Sequence, residues 1–299
     1  MQAWESEGLW KKAKLFMDQA NESDHGSPEL AFFASLALEC LARSALTKVH
    51  PVLNADPRDD SNVLYACGYT FAKPRSLPAH SVYLRVEKII DPFQAQHREL
   101  CEFLALQRNA HVHTADLPYE NLGTDKWLAR FFETVSVLHD FIGKPMSDFL
   151  GTDGTKMAKE LIKTLNQSVL SGVKSKVAAH QKVFEAKSAD EKKKLQDAAS
   201  SALAFPGNSQ HTCACPACKN KALLTGRRFK ELPEQYSDGE LFNEVEYLAT
   251  AFKCTSCDLS FSSIEEIAHA GLPTHFKKVE STSLHDLYEP EHYQEYDNM

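Results

Sequence analysis

The first half of the chain repeats its apolar residues at helical spacing. Within residues 4–20, Leu9, Ala13, Phe16, Met17 and Ala20 form one stripe. The next segment, SPELAFFASLALECLARSALTKV, opens with Ser27 as a candidate N-cap and Pro28 at the first helical position. Leu30, Phe33, Ala37 and Leu41 lie on one side of it and Phe32, Leu36 and Leu46 on another. A helix so apolar around its circumference is expected to be buried on most faces. Residues 50–80 are rich in Pro, Asp and Asn and read as a long connection with a short helix near Leu64. A third long helix is predicted from DPFQAQ, with Asp91 as cap and Pro92 just inside; its inner stripe is Phe93, His97, Leu100, Cys101 and Leu104, with Arg108 on the same face. After a loop marked by Pro118 and Gly123, a fourth helix carries Leu128, Phe131, Phe132, Val135, Leu138 and Ile142.

The pattern then changes. GTDGTKMAKELIKTL and the lysine-rich KSKVAAHQKVFEAKSADEKKKLQDAASSAL predict further helices, the second polar on most faces and read as a solvated connector or a dimerisation arm. FPGNSQH is a boundary. Beyond it come β-prone stretches, KALLTGRRF, EYLATAFKC and LSFSS. The expected fold class is therefore mainly α. It comprises a helical bundle over residues 1–150, a helical connector over 151–210, a small β-rich domain over 211–280 and an acidic tail over 281–299.

Composition narrows the function classes. Of 299 residues, 43% are hydrophobic and 25% charged, ordinary for a globular protein. No uninterrupted apolar run reaches about 18 residues and the N-terminal stretch lacks the apolar block of a secretory signal, so no membrane span and a cytoplasmic location are expected. A formal charge of −8 argues against non-specific coating of nucleic acid, which relies on lysine and arginine neutralising phosphates, but leaves room for a local basic site. STSLHDLYEPEHYQEYDNM contains no lysine or arginine and reads as a flexible or partner-docking tail.

In a reducing compartment, clustered cysteines point to metal ligation rather than disulfides. CPAC at Cys215–Cys218 and CTSC at Cys254–Cys257 supply four thiolates, the set that closes a tetrahedral structural Zn²⁺ site. With all four positions taken by protein, such an ion would have none open for substrate. The pairing resembles a zinc ribbon, in which each knuckle tops a β-hairpin. The spacing between the knuckles is long, so an insertion around PEQYSDGELF is expected to loop out. His211 and Cys213 are spare ligands, and Cys213 is an alternative to Cys215. Unmetallated thiols or a redox dithiol are the competing readings. Cys40, Cys67 and Cys101 sit in apolar contexts and are expected in the core.

Chemistry also gathers at the end of the third long helix, in LALQRNAHVHTADLPYE. RNAHVH places an arginine, an adjacent asparagine and a histidine five residues on: Arg108, Asn109 and His113, with His111 between. It resembles the R-x4-6-H signature of the HEPN superfamily, in which the motif lies near the end of a bundle helix. The resemblance covers roughly residues 1–150. It implies metal-independent cleavage of RNA, in which a 2′-hydroxyl attacks the adjacent phosphate. His113 would move protons near neutral pH, Arg108 would stabilise charge on phosphoryl oxygens, and Asn109 would hold a ribose or phosphate oxygen. On one continuous helix, positions i and i+5 sit about 140° apart, whereas Arg108 and His111 at i, i+3 fall on one side. The motif therefore needs the helix to end near His113 or two protomers to pool their residues, as the family commonly does. His111 is a rival or auxiliary group. Glu39 and Arg43, at i, i+4 in an apolar helix, must be partnered, either with each other or with Glu39 orienting Arg108.

Two function classes follow. One is an endoribonuclease working as a homodimer on single-stranded or looped RNA, its ribbon recognising RNA, a partner or an activating signal; the resemblance implies roles such as toxin or antiviral defence effector. The other is a non-catalytic adaptor that binds nucleic acid or protein, for which TGRRFK beside the first knuckle offers a small basic patch. A metal-dependent hydrolase using the histidines as ligands lacks an acidic partner at matching spacing, such as the H-E-x-x-H pattern.

Overall fold

The computed structural model describes residues 3–24, 26–69, 74–120, 122–231, 233, 235–237 and 240–283. The chain is mainly α with an antiparallel, β-rich C-terminal region. It divides into two compact units, Met1–Ser168 and Val169–Met299.

In the first unit, α1 (Ser6–Glu22) buries Trp10, Ala13, Met17 and Ala20, and α2 (Pro28–Val49) begins behind the Ser27 cap, whose hydroxyl accepts from the Leu30 N–H at 3.4 Å. Ala13, Ala20, Ala34, Ala37, Ala42 and Ala45 are all fully buried. Side chains this small let α1 and α2 approach closely. By length and composition α2 could cross a bilayer, but 67% of its most apolar window is buried here, so the bundle takes up that apolar surface. A short α3 (Asp60–Ala66) lies where a helix near Leu64 was expected. α4 (Ala79–Ile89) opens in a stretch read as connection and buries Val82, Tyr83 and Val86.

The third long helix starts later than its sequence suggests. α5 spans Ala95–His113; Asp91 and Pro92 precede it, and Gln94 is the cap. The reason lies in the His97 ring, whose Nδ1 accepts from the Gln94 N–H at 2.8 Å, while Phe93 is fully buried ahead of the first turn. α6 (Leu128–Ile142) buries all six residues of its expected stripe. Its Gly143 takes the left-handed conformation (φ 77°) that ends many helices. α7 (Ser147–Glu185) is broken at Gly151 (φ 70°, ψ 177°), values closed to residues with a side chain.

The second unit begins inside α7. The helical connector expected over 151–210 is divided between the units, and its later part, including the lysine-rich segment, is not free. Val173 and Phe184 are buried, and Val169 and Val177 complete a stripe at helical spacing that joins the core of the second unit, beside Pro216 of the first knuckle and His269. Lysines dominate the other faces and mask that stripe in the sequence. α8 (Ala189–Ala202), closed by a capping box between Ser188 and Glu191, adds Leu195 and Ala199. The strands are β1 (Gln210–Ala214), β2 (Lys221–Glu231), β3 (Gln235–Ser237), β4 (Glu240–Lys253), β5 (Ser260–Phe261) and β6 (His275–Ser283), with α9 (Ile264–His269) between the last two. The order is β1-β2-β4-β3, with β5 and β6 also on β4, all antiparallel. The stretch expected to loop out therefore lengthens the sheet: Glu231 pairs with Val245 and Gln235 with Phe242. At Gly226, where β2 bulges, an added Cβ would meet the Leu248 carbonyl and the Phe276 ring at 2.9 Å, so the missing side chain lets that ring lie on the strand. Of the acidic tail, 281–283 finish β6 and the rest lies outside the described residues.

Candidate functional site

At the end of α5 the bundle holds a cluster of charge. Glu39 lies in α2, where flanking residues are apolar, and its carboxylate bridges two guanidiniums. Arg43 donates to Oε1 from Nε at 3.0 Å and from Nη2 at 2.7 Å, while Arg108 Nη1 donates to Oε2. The two partners offered for Glu39 by the sequence are thus both taken. Arg43 also donates to the Leu77 carbonyl at 2.7 Å. The side chains of Glu39, Arg43 and Arg108 are 17%, 12% and 15% exposed, so most of their water is gone and their charges must satisfy one another. Burial pushes the Glu39 carboxyl up, but the two arginines outweigh it and hold it below its usual value. Burial lowers Arg108 less than Glu39 raises it, so its positive charge is secured. Asn109 Oδ1 accepts from Arg108 Nε and Nη2 at 3.3 and 3.1 Å.

The triad forms the shared wall of two adjoining troughs. One, of about 610 Å³, is lined by Pro78, His80, Tyr83, Glu102 and Asn109 besides the triad. The other, of about 390 Å³, adds Trp4, Lys12, Phe16 and Ser76. Arg108 thus faces open volume on both sides, where an anion can reach it.

The histidines of the motif go elsewhere. α5 stays helical through His113 and ends at Thr114, so the separation of i and i+5 persists and His113 stands exposed, lining neither trough. His111 does not join Arg108 either, although the two are three positions apart. Its ring packs between Phe32 and Tyr119, centroids at 5.4 and 5.3 Å, further along antiparallel α2. Within one chain the structure brings together Arg108, Asn109 and Glu39, and leaves His111 and His113 apart from them. A different histidine, His80, enters the Arg108 trough, carried by the second residue of α4. Its signal was present as the stripe Val82, Tyr83, Val86 after Pro78, hidden by the polar residues before it.

In the second unit Cys215, Cys218, Cys254 and Cys257 bring their sulfurs within 4.8 Å of one another. Cys215 and Cys257 stand at 3.6 Å, and Cys218 and Cys254 at 3.5 Å. A tetrahedral ion with bonds of about 2.3 Å requires sulfurs about 3.8 Å apart, so the cage is compatible with zinc. The two knuckles repeat one backbone design. Cys215 N–H donates to the Asn220 carbonyl at 2.9 Å and Cys254 N–H to the Leu259 carbonyl at 2.8 Å. Lys219 (φ 64°) and Asp258 (φ 59°), each directly after the second cysteine, are left-handed. Amides of Ala217 and Cys218 point at the Cys215 sulfur, and those of Ser256 and Cys257 at Cys254. Donors converging on sulfur favour thiolates. The Cys215 thiol, donating to Cys254 together with the Ser256 and Cys257 amides, holds Cys254 well below its usual value, and the same coupling raises Cys215.

The spare ligands are not part of this cage. Cys213 pairs with Ala222 in the β1–β2 ladder, where burial raises its thiol to about 11, and His211 stacks on Phe276 at 5.2 Å. Cys213 lies within β1, whereas Cys215 follows the strand's end at Ala214, where the knuckle turn begins. Of the remaining cysteines, Cys101 is buried and Cys40 half-buried, but Cys67, expected in the core, is exposed because it follows the last turn of α3. In TGRRFK, Arg228 is committed to Glu231 and Glu280. Comparison of the chain with protein-family models, curated proteins and solved structures returns no match.

Proposed function

We propose that the protein is a metal-independent endoribonuclease of the HEPN type, active as a homodimer on single-stranded or looped RNA. The observation that carries this reading is Arg108, fixed by a buried carboxylate at the edge of open troughs on the helix end where the signature falls. A guanidinium held this way is preorganised for a phosphate and needs no rearrangement as charge develops. An uncovered apolar face of α5 offers a place for a second copy. Phe103 and Leu106 are 39% and 65% exposed. With Ala110 and His113 they fall within about 80° of the helix circumference. Pooling Arg108 of one copy with His113 of the other requires the end of the partner's α5 to reach the Arg108 troughs, where it would add the histidine of the motif. Zinc held by Cys215, Cys218, Cys254 and Cys257 would be structural, and the unit it closes would recognise RNA, a partner or an activating signal. A role as toxin or antiviral effector belongs to the same reading.

The test is cleavage of labelled RNA in excess EDTA, with product ends identified as 2′,3′-cyclic phosphates. Arg108→Ala and His113→Ala should each abolish it, and mixing the two inactive variants should restore part of the activity through hybrid dimers. The separation of Arg108 from His113 within one chain favours a second reading, a non-catalytic RNA- or protein-binding adaptor. Tight RNA binding with no cleavage by the unaltered protein would establish the adaptor instead.

A further inference from the structure

We infer that His80 is a second proton-transfer residue of the Arg108 trough, acting on the 2′-hydroxyl of a bound ribose; this rests on the nuclease reading above. Three observations place it there. His80 lies in the same trough as Arg108, Asn109 and Tyr83, although it comes from a different helix and from outside the RNAHVH motif. Its Nδ1 stands 2.8 Å from Glu102 Oε1, close enough for a charge-assisted contact, while the ring remains 65% exposed. That Glu102 oxygen is buried and makes no well-aligned hydrogen bond, so a modest turn of the exposed ring gives the carboxylate the donor it lacks. Nε2 is then the nitrogen left for substrate. The third observation is the start of α4 itself, where no side chain caps the helix and Pro78, Ala79 and His80 line the trough. Uncapped N–H groups beside Arg108 suit an anion between the two helices.

The charged groups facing His80 are Glu102 on α5, Glu39 and Arg43 on α2, and Arg108. Glu102 is shared with Arg98, which donates to its other oxygen at 2.7 Å and to Glu87 at 2.8 Å. The carboxylate is thereby held in place, and it can orient His80 and stabilise its imidazolium. In the step assigned to it, neutral His80 takes the 2′-hydroxyl proton on Nε2. The 2′-oxygen bonds to phosphorus as the bond from phosphorus to the 5′-oxygen breaks. His113 of the second copy, protonated, gives its proton to that 5′-oxygen, so two histidines exchange one proton each. Arg108 holds the phosphoryl oxygens throughout. Glu102 is a positioning residue.

The experiment compares the unaltered protein with His80→Asn on a cleavable oligoribonucleotide across pH. Asparagine keeps a polar side chain at an exposed position, and a matching circular dichroism melt verifies the fold. Expected is a loss of about 100-fold or more in kcat with KM little changed, together with loss of the acid limb of the pH–rate profile. A second measurement uses the DNA analogue of the same sequence, which lacks the 2′-hydroxyl and is not cleaved: its binding should shift the His80 imidazole resonances. His80→Asn cleaving at the unaltered rate with an unaltered pH profile overturns the assignment. An unaltered protein that cleaves no RNA overturns the nuclease reading as well, so the two failures are distinct.

Discussion

Replacing Glu39 with glutamine removes the one negative charge in the triad while keeping its volume. Two guanidiniums, 12% and 15% exposed, are then left facing each other without neutralisation. At an effective dielectric of about 20, each contact of about 4 Å is worth about 4 kcal/mol, and regained solvation of the carboxylate offsets part of the two that are lost. Breaking buried pairs costs about 3–5 kcal/mol, and the flanking troughs let water reach the arginines, so the low end, about 3 kcal/mol, is expected. The melting temperature of a unit of this size should fall by about 6–12 °C. Tryptophan fluorescence during urea unfolding is the suitable assay, because Trp4, Trp10 and Trp127 are the chain's three tryptophans and all lie in the first unit. The loss should also depend on pH. Glu39 has a folded pKa below its usual 4.5, so its contribution is complete above that value and disappears as pH falls through the folded pKa. The two proteins should converge in stability at low pH. Replacing Glu39, Arg43 and Arg108 together with apolar residues of similar size should recover most of the stability while abolishing RNA cleavage. A cost for Glu39→Gln below about 0.5 kcal/mol would refute the reasoning, since that is the scale of exposed ion pairs.

Two further outcomes follow from buried groups. Metal analysis should find one zinc per chain, lost in Cys257→Ser but retained in Cys213→Ser and His211→Ala; stripping it should unfold the second unit while leaving tryptophan fluorescence unchanged, and a chain fully folded without metal would contradict this. His139 is fully buried, with Nδ1 donating to the Val135 carbonyl at 2.9 Å and Nε2 accepting from Trp10 at 3.2 Å, an arrangement that demands the neutral ring. Burial lowers its pKa from 6.5, so its contribution is complete above that value and shrinks as pH falls below it; His139→Gln should flatten the stability profile between pH 6.5 and the folded pKa, and an unchanged slope would contradict the assignment.

Periodicity and residue chemistry alone determined the mainly α first half, the Ser27–Pro28 helix start, the burial of α2 and the pairing of the two cysteine knuckles. These are local matters: a cap, a stripe or a four-residue turn carries its own instructions within a few positions. Tertiary structure decided everything that depended on neighbours distant in sequence. It gave Glu39 to both arginines, because α2 and α5 run antiparallel with those residues level. It placed His111 among aromatic rings, left His113 on the outer face and brought His80 into the Arg108 trough from a helix the sequence disguised. It also kept Cys213 out of the cysteine cage, and it gave the lysine-rich α7 a stripe buried in the core of the second unit. Spacing along one helix sets the angle between two side chains, but what each side chain meets at that angle depends on the other elements packed around it.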